Sequence, residues 1–411
     1  MGLEQLQQAV DDLAARLRRS VVIDDATVRL VAISRHFGDE DEVRIRAVLQ
    51  REAPDKALGH VLAQGVTHWT TAGVIPPLPE IGMKARVCVP IRWRGELLGL
   101  LMVMDADSTL TTGELGQITA AAEEMAPPLK AMLEEEEPGG EEALWGLISP
   151  LSLVRRQALS DLAERYDTSR FSHVVALYFT AEVEGKATSH ATMALTSSLR
   201  VEARADPAAF LYAVRESSAL VLLGVGSSAS RRLIANRATR IAARIEDLSA
   251  QRFTWIGGVG TVVDGLDFAV HTAEQAQLAS SAAPGIVPGP VVFWDELGAN
   301  ASLLRIPANG RTPDALPSEV RRLLDIDSDG QLTTTVRAYL DHGGSSPDAA
   351  EALHIHRTTL YYRLGRVHEL AGLDLADGRT RLALHVGLEL MSIDAALRRA
   401  AEIRGIGDSN K

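Results

Sequence analysis

The chain has one cysteine, Cys88, in 411 residues. A lone thiol forms no internal disulfide and cannot build a Cys-based zinc site, so a reducing compartment is expected. Cys88 falls in an alternating, strand-like run, where it reads as a core thiol rather than a nucleophile. Long apolar runs are also missing: Ala219 to Gly226 is apolar but far short of the roughly 20 residues of a membrane span. The N-terminal MGLEQLQQAVDDLAARLRRS is amphipathic and places acids where a signal peptide needs an apolar stretch. A cytoplasmic protein with no membrane partner is expected. Net positive charge is lacking too. The formal charge of -12 is unfavourable for a nucleic-acid binder, but where the charges lie matters more than their sum. Acids crowd Asp39 to Glu42 and Glu134 to Glu137, whereas the last eighty or so residues are close to neutral, with arginines grouped on one helix.

What is present is ordinary for a soluble globular chain: 46% hydrophobic and 23% charged residues. At roughly one domain per 150 residues, the length suggests two or three domains, and we expect three. In the first, Leu3, Leu6, Val10, Leu13 and Leu17 make a heptad stripe, expected either to pack within its domain or to form a dimer seam. Strands are expected at Val28 to Ser34, Arg86 to Trp93 and Glu96 to Met104, the last two as a hairpin turning at Arg94-Gly95. In the hairpin's first strand Val87, Val89, Ile91 and Trp93 share a face. Thr111 or Thr112 should then cap a helix that stops at Pro127-Pro128. The acidic, Pro/Gly-containing stretch after it marks a linker over 134–149.

From 150 to about 310, helical and strand patterns alternate. Helices are expected at Leu151 to Tyr166, Pro207 to Glu216, Arg231 to Leu248 and from Gly265 to Ala279. Strands are expected at Val174 to Thr180, Leu220 to Gly226, Thr254 to Val259 and Val291 to Trp294. Beyond about 330 the pattern is wholly helical. There, Ser346 before Pro347 opens a short helix, and a tight turn at His354 to His356 leads to a second one with Leu360, Leu364, Val367 and Ala371 on one face. The opposite face presents Thr358, Thr359, Tyr362 and Arg366, flanked by Arg357, Tyr361 and Arg363. Arg can donate twice to guanine, Thr can bond a base or touch a thymine methyl, and Tyr can bond phosphate. Double-stranded DNA is the expected partner.

The run from His356 to Leu375 resembles the C-terminal DNA-binding domain of the PucR/CdaR transcriptional regulators. Thr358 stands where that family usually has Asn. Its preceding helix corresponds to Leu332 to Leu340 and its trailing helix to Arg381 to Leu397. More weakly, Trp255 to Gly260 and Val292 to Gly298 resemble the GGDEF-like middle domain of the same family, and residues 1 to 130 resemble a GAF domain. The resemblance implies an α+β multidomain protein. Its parts are a GAF-like sensor with an antiparallel sheet over 1–133, a degenerate GGDEF-like domain over 150–310 and an all-α helix-turn-helix domain over 325–400. It also implies a homodimer controlled by a small effector, whose binding residues the sequence leaves unassigned.

Two alternatives remain: a nucleotide-dependent signalling enzyme of GGDEF type and a GAF-based interaction protein. Against the first, Glu216 to Leu223 lacks the glycine pair and following acids needed to hold metal. No catalytic residue, cofactor or metal is expected. Gly224 to Ser228 lacks the Lys-Ser/Thr of a P-loop. Asp325 to Gly330 imitates half a calcium loop, but Val336 replaces its closing Glu. His60 and His68 lack a third ligand.

Overall fold

Alternating apolar residues and short polar turns build two sheets, and amphipathic helices cover them, giving a mixed α+β chain. The computed structural model describes residues 2–26, 28–50, 53–136, 140–183, 187–226, 231–282, 289–307 and 311–403. They form two units, one built on residues up to 280 with 289–294 and the other on 295–402.

The first unit opens with α1 (Gly2–Leu17), β1 (Val21–Asp25), β2 (Leu30–Ile33), α2 (Glu42–Gln50), α3 (Asp55–Ala63), β3 (Gly73–Ile75), β4 (Arg86–Trp93), β5 (Glu96–Met104) and α4 (Thr112–Glu136). The strands make an antiparallel sheet in the order β2-β1-β5-β4-β3. The β4–β5 hairpin turns at Arg94 and Gly95, both with positive φ, as a tight two-residue loop of this kind demands. Val87, Val89 and Ile91 lie on one face, as the alternation requires, and pack with α1 and α4.

Of the two readings of the α1 stripe, packing within its own unit is the one observed, and the end of α4 departs from expectation. Leu6, Val10, Leu13 and Leu17 of α1 are buried against α4 and the sheet, and only Leu3 is exposed. The stripe considered as a dimer seam is therefore already covered within its own unit. Helix α4 does not stop at Pro127-Pro128 but continues to Glu136. Its apolar face runs on through Leu129, and the carbonyls that the prolines leave free belong to Glu123 and Glu124, which face water. The start follows the expected chemistry, because Thr111 Oγ1 accepts from the Glu114 amide while the Glu114 carboxylate accepts from the Thr111 amide.

The rest of this unit comprises α5 (Glu141–Gly146), α6 (Ser152–Arg165), β6 (His173–Glu182), α7 (Ala187–Ala205), β7 (Phe210–Arg215), β8 (Ser218–Val225), α8 (Arg231–Ser249), β9 (Thr254–Val259), β10 (Val263–Asp264), α9 (Ala269–Ala282) and β11 (Val291–Phe293). Its sheet runs β11-β9-β6-β8-β7, antiparallel except for the parallel β11–β9 pair, with β10 added on β6. Helices α7 and α8 cover one face and α5, α6 and α9 the other.

The expected linker is corrected here: Leu144 and Leu147 are core residues of this second layer, so residues from 140 onward are folded, while 137–139 lie outside the described residues. Pro207 to Glu216 is no helix either. Phe210 and Ala213 are buried in β7, which turns at Glu216 (φ 52°) into β8. The helix lies earlier, as α7, where Ala191, Ala194, Leu195 and Leu199 form a buried face of mostly small residues that blurs the periodic signal. The segment Glu216 to Leu223 is thus the tip and second strand of a hairpin that carries a single acid. Gly224 and Val225 end β8, and Ser227 and Ser228 lie outside the described residues.

The two sheets of this unit meet where α3 packs on α8. A Cβ on Gly59 would lie 2.7 Å from the Asp247 carbonyl oxygen, so only glycine allows this approach. Asp55 pairs with Arg244 at 2.9 Å and Arg252 donates to the Ala63 carbonyl at 2.7 Å across the same contact.

No helix among the described residues is long and apolar enough to cross a membrane. Because the α1 stripe is core, Leu13→Ala is expected to lower unfolding free energy by about 2–5 kcal/mol in urea. The mass of the folded protein in solution should be unchanged, as measured by sedimentation.

Candidate nucleic-acid interface

The second unit contains α10 (Asn300–Leu304), α11 (Ser318–Ile326), α12 (Gln331–Asp341), α13 (Ser346–Ala352), α14 (Arg357–Ala371) and α15 (Gly378–Ile403). Asp327 starts α12 by accepting from the Leu332 and Thr333 amides at 2.9 and 2.7 Å. Burial works against its charge, but the bonds from Thr333 and Leu332 outweigh it and hold this carboxyl below the usual carboxylate range. The acidic turn Asp325 to Gly330 thus caps the start of α12. The cap of α13 falls one residue earlier than expected, on Ser345, whose Oγ accepts from the Asp348 amide. This helix ends in a left-handed His354 (φ 52°), and His356 then caps α14 by accepting from the Thr358 amide. Gly372, at φ 64°, closes α14, and Arg322 of α11 donates to the Ala371 carbonyl that the helix end leaves free.

Leu360, Val367 and Ala371 are buried and Leu364 is half-buried, so the inward face of α14 is the one the sequence indicates. Leu360 meets Ala349 and Ala350 of α13, while Val367 and Ala371 join Val336 and Leu340 of α12 and Leu384 and Leu388 of α15. This seam fixes which side chains point outward. Arg357, Thr358, Tyr361, Tyr362 and Arg366 are exposed, and Thr359 is half-buried. Tyr361 and Tyr362 remain 58% and 63% exposed side by side on this face. The Tyr362 hydroxyl accepts from Arg366 at 3.2 Å, with the guanidinium 6.0 Å from the ring centroid. Tyrosine and arginine thus stand together one turn apart on the outer face.

Two of the sequence-selected residues are engaged within the unit. Arg363 is half-buried and donates to Gln331 Oε1 at 2.5 Å and Thr335 Oγ1 at 3.4 Å, tying α14 to α12. The Thr358 hydroxyl pairs with His356 Nδ1 at 2.8 Å as part of the helix cap.

Elsewhere, His60 bonds the Pro76 carbonyl and His68 bonds Thr67, so neither serves the other. Three groups that the sequence did not single out come together instead. Ligand atoms of Asp341, His385 and Glu389 lie within 4.8 Å of one another, close enough to hold a cation. His385 bonds Asp341 at 3.1 Å and Arg337 pairs with Glu389 at 2.8 Å, so the same groups cross-link α12 and α15.

A division of labour on α14 follows. Arg363→Ala should lower the stability of the chain by about 1 kcal/mol through loss of its bonds to α12, whereas Arg366→Ala should leave the unfolding midpoint unchanged. Urea titration of both variants checks this.

Residues 332–390 match the PucR C-terminal helix-turn-helix domain. Over 410 residues, 95% of this chain and 97% of the other, the protein is 22% identical to the proline-responsive transcriptional activator PutR of Bacillus subtilis. Over 75 residues, 18% of this chain and 20% of the other, it is 43% identical to the carbohydrate diacid regulator of Escherichia coli. A regulator of polyketide synthase expression from Bifidobacterium adolescentis aligns over 65% of this chain and 96% of its own. There the identity is 20% and the TM-score 0.30, too low to argue a common fold. The chain carries a PucR-type C-terminal helix-turn-helix domain and is homologous to the PucR/CdaR transcriptional regulators.

Proposed function

We propose that the protein is a sequence-specific transcriptional regulator that acts as a homodimer and responds to a small effector, with α14 as its major-groove reader. The observation that carries this is the outer face of α14. Arg357, Tyr361, Tyr362 and Arg366 stay exposed on a helix whose other face is locked by Leu360, Val367 and Ala371. An ordinary solvated helix has no need of two exposed tyrosines beside two arginines. In this reading, Arg366 and Thr359 face base edges, while Arg357 and Tyr361 contact phosphate. Arg363 contributes by holding the helix in position.

A single short recognition helix touches too few base pairs for useful specificity, which is the reason to expect a dimer on two half-sites. The covered α1 stripe leaves the dimer interface to other surfaces. Regulation by an effector is supported by the relative PutR, which aligns along nearly its whole length and is named as responsive to a small metabolite. The sheet β1–β5 is read as a GAF-like sensor, the β6–β11 layer as a GGDEF-like scaffold without catalysis, and residues 325–400 as the DNA-binding domain. An effector acts on DNA binding only through a difference in its affinity for two arrangements of the protein.

Selection of random duplexes by the full chain should enrich sequences holding two related half-sites about one helical turn apart, about 10 base pairs or a multiple of it. Enrichment of no sequence at moderate salt would refute the reading. On the selected duplex, Arg366→Ala should weaken binding. If its contact is to phosphate alone, the slope of log affinity against log salt should also fall by about one.

A further inference from the structure

Sheet faces turned towards a core are normally apolar, yet the first sheet carries buried charge on one of its faces. Asp24 on β1, Arg86 on β4 and Arg44 on α2 surround a cavity of about 50 Å³. They are only 7%, 8% and 3% exposed. Between them the wall is apolar, including Val22, Val43, Met102 and Met104.

The bonding of these groups is incomplete. Arg86 donates to Asp41 and to the Lys84 carbonyl through Nη2 and Nε. Arg44 uses Nη2 for the Val21 and Ser34 carbonyls and Ser34 Oγ, all at 3.3 Å, while its buried Nε has no acceptor. Among the described residues no side chain bonds the Asp24 carboxylate, although Arg44 and Arg86 line the same cavity and act on its charge. Opposite charges buried at this depth lower their cost by meeting. Here they line one cavity without bonding each other, with an acceptor on Asp24 and an unused donor on Arg44 Nε.

We propose that this cavity binds a small α-amino acid, with its ammonium group on Asp24, its carboxylate on Arg44 and Arg86, and its short side chain among Val22, Val43 and Met102. This inference rests on the reading of the chain as an effector-controlled regulator and names the class of effector. The volume favours a compact ligand, since one water needs about 10–15 Å³ of such space. Burial, with Asp25 adjacent, pushes the Asp24 carboxyl up to about 7, against the opposing pull of Arg86 and Arg44. An ammonium group in the cavity would give Asp24 a directly bonded partner.

The same chemistry fixes a pH dependence. The groups facing Asp24 are Asp25 on its own strand, Arg86 and Cys88 on β4, and Arg44 on α2. As pH rises from 3.8 towards about 7, the unfolded chain gives up this proton before the folded chain does, so the folded state loses stability across that window. Asp24→Asn should therefore raise the melting temperature more at pH 8 than at pH 5.

The test is thermal unfolding and titration calorimetry of the full chain with glycine, L-alanine, L-valine, acetate and ethylammonium, each at about 10 mM. At least one amino acid should raise the melting temperature, with acetate and ethylammonium inert. Asp24→Asn should weaken that amino acid at least tenfold. Ala47→Leu, which fills the cavity from α2 without altering a charge, should abolish the response. Inertness of all five probes, equal response to acetate or ethylammonium, or full response in both variants would overturn the inference. DNA selection on the same preparation separates the two readings: DNA binding without any probe response removes only the ligand assignment. An amino-acid response without DNA binding removes only the regulatory reading.

Discussion

The apolar seam between α14 and its neighbours is the constraint on which the functional account depends. Leu360, Val367 and Ala371 cannot be rotated out of the cores shared with α12, α13 and α15 without opening a cavity. With those positions fixed, the 100° step of the helix decides that Tyr362 and Arg366 face outward. The ends are fixed as well. His356 caps the start, and Gly372 with Arg322 closes the finish, so the outer face is set in register as well as in rotation. The chemistry of the outer face is thus a consequence of packing. Arg363 shows the same coupling from the other side, because a charge that could have faced phosphate is used to hold α14 on α12.

The first unit follows a similar logic at larger scale. Each sheet is covered on both faces by helices, and the two layers approach closely where Gly59 of α3 meets α8. Asp25 of β1 also pairs with Arg200 of α7 at 3.2 Å. Asp24, the next residue back along β1, faces the charged cavity. Adjacent residues on one strand thus point to the contact with α7 and to the charged cavity.

Much of this was legible in the sequence, and the failures have physical causes. The helix-turn-helix was legible because its apolar spacing, tight turn and basic face all lie within one continuous stretch. The β4–β5 hairpin was legible because alternation flanks Arg94-Gly95. Features that depend on distant partners were not. The anchoring of Arg363 needs Gln331, 32 positions upstream, and the cavity needs β1, α2 and β4 brought together by sheet pairing. Local rules also misled. Pro127-Pro128 reads as a stop, yet a continuing apolar face and water-facing carbonyls carry α4 past it. Pro207 to Glu216 reads as a helix, yet Phe210 and Ala213 are buried in a strand there. The α1 stripe was periodic in the expected way, but periodicity does not say whether the covering surface belongs to the same chain.

The most direct test of the central claim is methylation interference with dimethyl sulfate on a duplex selected by the full chain. This reagent marks guanine N7 in the major groove and adenine N3 in the minor groove. The account predicts that guanine methylation at symmetrically placed positions in both half-sites blocks binding, as a recognition helix bearing Arg366 requires. Interference confined to adenine N3 would contradict it, as would binding indifferent to methylation at either atom.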